Sequence, residues 1–139
     1  MSFREKSAWV MAAVMTLTGL WYLKAALGES ASSGAPAPPG GVFAAYVCLV
    51  VVGSVVAQVV LALSAPNEAN APADERERPA LQRAGNWAGI VLAAGAVLSL
   101  GGFLHRPDGN LLFHLVFGSL IVSQIAEYAF QIALLRRSA

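Results

Sequence analysis

The sequence is poor in charge and nearly free of cysteine. Only 12% of its 139 residues are charged, against about a quarter in an ordinary soluble domain, while 57% are hydrophobic. The single cysteine, Cys48, excludes an internal disulfide and any CxxC redox or zinc-ribbon site. It lies inside an apolar block and reads as a packing residue. A formal net charge of +1 gives no electrostatic reason to expect nucleic acid as a partner. No Ser/His/Asp set, HExxH or acidic metal motif is present, so neither an enzymatic activity nor a cofactor is expected.

Apolar residues are abundant, and they come in blocks. The mean hydropathy is +0.62. The blocks run Ser7–Leu27, Val42–Ser64, Gly85–Leu104 and Leu111–Leu135. Each has about 20 residues or more, which at about 1.5 Å per helical residue crosses a hydrocarbon core of about 30 Å. A lone strand would leave its backbone polar groups unpaired in lipid, so helices are required. The spacing predicts an all-α integral membrane bundle of four transmembrane helices in a single domain over residues 1–139. The helices are placed at 7–27, 42–64, 80–104 and 111–135, because Pro79 suits a first helical turn. Trp9, Trp21, Tyr22, Tyr46 and Trp87 fall near block ends, where amphipathic rings favour the membrane interface. The first block follows Arg4 and Lys6, as in a signal peptide. It exceeds the usual apolar core of about 7–15 residues, however, and is expected to be retained.

The basic residues set the orientation. Arg4 and Lys6 precede the first helix, Arg76, Arg78 and Arg83 lie between the second and third, and Arg136 and Arg137 follow the fourth. Only Lys24 and Arg106 fall on the other side. The positive-inside rule then places both termini in the cytoplasm and the chain in the inner (plasma) membrane as two antiparallel hairpins. The outer loop 28–41, rich in Gly, Ser and Pro, reads as a flexible linker. The Pro107-Asp108-Gly109 turn closes the second hairpin. The two hairpins also show a faint internal likeness. Val55-Val56-Ala57-Gln58 resembles Ile121-Val122-Ser123-Gln124, a Gly-Ser pair precedes both, and Trp9 and Trp87 open the first and third helices.

The cytoplasmic loop, 65–79, holds Asp74, Glu75, Arg76, Glu77 and Arg78. Acidic residues before a helix suit the positive end of its dipole. The same run is a candidate docking patch for a cytoplasmic partner, set against a plain solvated charge run. With Gln82-Arg83-Ala84-Gly85 and the apolar helix that follows, Asp74-Glu75-Arg76-Glu77 resembles small prokaryotic membrane proteins of the DUF2178 type. Those carry a DER(D/E) motif between pairs of transmembrane helices. Pro79 departs from the family pattern, where an aliphatic residue is commoner. The resemblance covers about thirty residues and implies the same architecture; it implies no catalytic residues.

Within the spans, Gly85, Gly89 and Ala93 repeat every fourth residue, a spacing that lets helices approach closely. Packing within the chain is the expectation, and a second copy is the alternative. His105 and His114 flank the outer turn and are weak metal candidates without enough neighbouring ligands. The fourth helix carries Gln124, Glu127, Tyr128 and Gln131 on one face. Glu127 lies eight residues before Leu135, roughly 12 Å inside the span. A buried carboxylate there should face the bundle interior and meet Gln58, Arg83 or both. It serves either as structural glue or as a functional group. Small multidrug exporters also have four helices and a membrane carboxylate, but theirs lies in the first helix, and Ser7–Leu27 contains no acid.

Two function classes follow. The first is a non-enzymatic structural or accessory subunit that oligomerises or docks a membrane-protein partner. The second is a small-solute or proton-coupled transporter with Glu127 as its ion-binding carboxylate.

Overall fold

Each apolar block forms one long helix. In the computed structural model, which describes residues 3–28, 37–38, 40–69, 74–75 and 77–138, α1 spans Phe3–Gly28 and α2 spans Gly40–Ser64. A single turn, α3, covers Pro66–Ala69; α4 spans Glu77–His105 and α5 spans Gly109–Ser138. No strand occurs among the described residues. Four of these helices, α1, α2, α4 and α5, are long and apolar enough to cross a membrane. They overrun the expected limits by a few residues at most ends, because hydropathy falls at the first charge whereas backbone bonding continues through it. Arg4, Glu5 and Lys6 belong to α1, and Arg136 and Arg137 to α5. Most of the expected 28–41 linker lies outside the described residues.

Side-chain capping fixes two helix starts. Asp108 Oδ1 accepts the backbone N–H of Asn110 at 2.9 Å and of Leu111 at 3.2 Å. Its carbonyl accepts Leu112 N–H at 3.0 Å, so Asp108 is the N-cap of α5. At α4, the Asp74 carbonyl accepts Glu77 N–H at 3.0 Å and Arg78 N–H at 3.1 Å. Pro79 falls in the first turn, where its missing N–H costs little.

α5 packs against both α4 and α1, and α1 packs against α2. Residue numbers rise along one helix of each pair as they fall along the other. Gly95 meets Ser119 and Trp87 meets Phe130; Glu5 meets Arg136 and Tyr22 meets Phe117; Ser7 meets Gln58 and Tyr22 meets Tyr46. The end that carries α1's start and α5's finish is the terminal end, and the opposite one the distal end.

Small residues set the closest approach. Ala84 is fully buried, and Ala80, Ala88 and Ser99 lie on the same side of α4. A Cβ added to Gly95 would stand 2.6 Å from Ser119 Cβ, so only glycine fits there. Ser99 and Ser119 donate back to carbonyls of their own helices, Gly95 O and Leu115 O, both at 2.7 Å, and so present neutral surfaces to the interface. The expectation that the stripe packs within the chain needs correction. Gly85, Gly89 and Ala93 are exposed, and an added Cβ at either glycine meets nothing within 4 Å. Adjacent positions of a helix differ by about 100° in direction, and small residues occupy both 84/88 and 85/89. Spacing alone therefore could not choose the face.

Tyr22 and Tyr46 also depart from expectation. They are 4% and 8% exposed and form the distal core with Ala26 and Phe117 instead of lying at an interface. Tyr22, Tyr46 and Phe117 meet edge to face, with centroids 4.7–5.6 Å apart. Trp9, Trp21 and Trp87 do lie on the surface, and so does Cys48, which was expected to pack. The remaining surface of α2 and α4 is largely exposed Val, Leu and Ile, suited to a lipid environment.

Candidate functional site

The expected polar cluster does not converge. Glu127, partly buried on α5, accepts a hydrogen bond from Gln131 Nε2 at 3.2 Å, one turn along the same helix, next to partly buried Tyr128. Gln58 pairs with Ser7 of α1 instead: Ser7 Oγ donates to Oε1 at 3.1 Å and Gln58 Nε2 donates to Oγ at 2.8 Å. Gln124 and Arg83 are exposed. The physical reason is lateral order. α2 sits on α1, so its polar face meets α1 and not the glutamate-bearing stretch of α5.

The faint likeness between the two helix pairs breaks at the same place. Two residues before Trp9 stands Ser7, which holds Gln58; two residues before Trp87 stands Gly85, which has no side chain to offer Gln124.

Charged side chains converge at the terminal end. Glu5 is 8% exposed and accepts from Arg136 Nε at 2.7 Å, tying α1 to α5. The Arg136 guanidinium also lies 5.5 Å from the centre of the Trp9 ring. Arg4 Nε stands 3.3 Å from Glu77 Oε2, tying α1 to α4. These ion pairs tie α1 to both α5 and α4 at the terminal end. Glu5 escaped the sequence reading because it precedes the apolar run and its partner is far along the chain. The available signal was an acid inside an otherwise basic N-terminal turn, opposite the Arg136-Arg137 pair.

The charged loop proves to be partly a helix start. Glu77 Oε2 accepts Asp74 N–H at 3.4 Å, the reciprocal half of a capping box, while Asp74 Oδ1 accepts Glu75 N–H at 2.7 Å. Asp74 and Glu77 are thus committed to capping and to Arg4. Glu75, Arg78 and Arg83 stay on the surface, and Arg76 lies outside the described residues.

At the distal end, Tyr22 Oη and His114 Nδ1 are 3.3 Å apart between α1 and α5. His105 is exposed at the end of α4. Among the described residues no group of three or more His, Cys, Asp or Glu side chains could hold a metal ion. Beside the Tyr22–His114 pair, a groove of about 510 Å³ runs between α1 and α5, with Gly19 and Gly118 in its walls.

Set against known proteins, the chain matches no family model, no curated protein and no solved structure.

Proposed function

We propose that this protein is a non-enzymatic structural or accessory subunit of the inner (plasma) membrane that docks a partner at its charged terminal end. Both termini are cytoplasmic in this reading, and α1–α2 and α4–α5 form two hairpins. The distribution of basic residues carries it: along the sequence, Arg4, Lys6, Arg76, Arg78, Arg83, Arg136 and Arg137 flank the spans on one side, against Lys24 and Arg106 on the other. The likeness of Asp74–Glu77 to the DER(D/E) loop of DUF2178-type proteins belongs to the same proposal. Arg78 and Arg83 are exposed near the start of α4, where a partner would meet their positive charge.

The transporter reading finds less support. Proton-coupled transport needs polar groups gathered on a path, and Glu127 and Gln58 have separate partners. A photo-crosslinking residue at position 83 should form one discrete adduct in cells, and Arg78→Glu should abolish it while membrane levels hold. The opposite result is no adduct, together with a pH-driven flux in proteoliposomes that Glu127→Gln removes. That would establish the transporter.

A further inference from the structure

We infer that the groove between α1 and α5 holds one acyl chain of an anionic phospholipid, with the phosphate held at the distal end by Lys24 and Arg106. The inference rests on the helices spanning a bilayer and not on which end faces the cytoplasm.

Shape comes first. On α1 the groove runs from Thr16 to Ala26, about 15 Å of helix. Its lining is almost wholly apolar, and its depth comes from Gly118, where an added Cβ meets nothing within 4 Å. A single hydrocarbon chain is slim enough to lie in it along its length. Left unfilled, the walls would lose their dispersion contacts, so a chain from the bilayer gains by entering.

Charge selects the headgroup. Lys24 follows groove residue Leu23, and Arg106 lies in the turn just before groove residue Leu111. Both are exposed, and neither is in an ion pair among the described residues. Of the acids near them, Asp108 is committed to capping α5, and Glu29 lies outside the described residues. Each exposed cation at a membrane surface favours an anionic lipid about fivefold.

Native mass spectrometry of the protein in neutral detergent tests this, with phosphatidylglycerol and phosphatidylcholine of identical chains. The expected result is one retained phosphatidylglycerol per chain in preference to phosphatidylcholine. Lys24→Gln with Arg106→Gln should lower that preference about fivefold for each cation removed. Gly118→Leu should cut retention of both lipids while leaving helicity and melting unchanged, because its side chain fills open groove space. Equal retention of the two lipids, or retention untouched by Gly118→Leu, would overturn the inference. So would a lipid-free dimer, which would assign the groove to a second copy. A protein that stays folded and monodisperse without detergent would instead remove the membrane-spanning reading on which the inference stands.

Discussion

Ser7 and Gln58 each donate one hydrogen bond to the other across the α1–α2 interface, at 3.1 and 2.8 Å. The pair joins side chains of two different helices and so ties α2 to α1. Measured interhelical hydrogen bonds in membranes average only about 0.6 kcal/mol, with about 1.7 at most. Gln58→Leu should therefore destabilise the fold by about 0.5–1.5 kcal/mol in a denaturant titration from mild detergent. Ser7→Ala combined with it should add almost nothing, because the pair is lost once. Full additivity of the two losses would count against a direct bond.

The α4–α5 interface makes a sharper contrast. Gly95→Leu drives a side chain into Ser119, whose Cβ lies 2.6 Å from where the new Cβ must go. Overpacking of that kind should cost roughly 3 kcal/mol or more, or abolish folding. Gly89→Leu meets open space and should change stability by less than about 0.5 kcal/mol. Monomer stability should thus separate two glycines that look alike in sequence. Equal damage at both would mean that the outward face is also packed, against a second copy.

The terminal clasp should show coupling. Glu5 is nearly buried and Arg136 largely exposed, so their ion pair lies between the weak surface case and the strong buried one. A double-mutant cycle of Glu5→Gln and Arg136→Gln should return roughly 1 kcal/mol. Arg136→Lys should recover only part of it, since an ammonium keeps the charge but loses the guanidinium's fork and its place over the Trp9 ring. A coupling indistinguishable from zero would reduce the clasp to a surface contact.

Run length and hydropathy made the four spans readable, because each block is long enough to cross lipid as a helix and too long for a barrel strand. The caps were readable in principle too: Asp74 with Glu77 is a D-x-x-E capping pattern, and Asp108 precedes α5 directly. Which small residues face inward was not readable, since positions 84 and 85, and likewise 88 and 89, are all small. Helix neighbourhood was not readable either. Nothing in the order of the blocks says that α1 packs on α5 as well as α2, and the expected Glu127–Gln58 contact failed for that reason. The Glu5–Arg136 pair was hidden the same way, as two charges lying outside their apolar blocks and brought together only by the α1–α5 contact.

Orientation underlies the proposed role, and impermeant thiol labelling measures it directly. In a Cys48→Ser background, Arg106→Cys places a thiol at the α4–α5 turn and Glu75→Cys places one at the start of α4, both at exposed positions. With both termini cytoplasmic, intact spheroplasts should be labelled at position 106 at once, and at position 75 only after the membrane is permeabilised. Labelling at position 75 in intact spheroplasts, with position 106 protected until permeabilisation, would contradict the account.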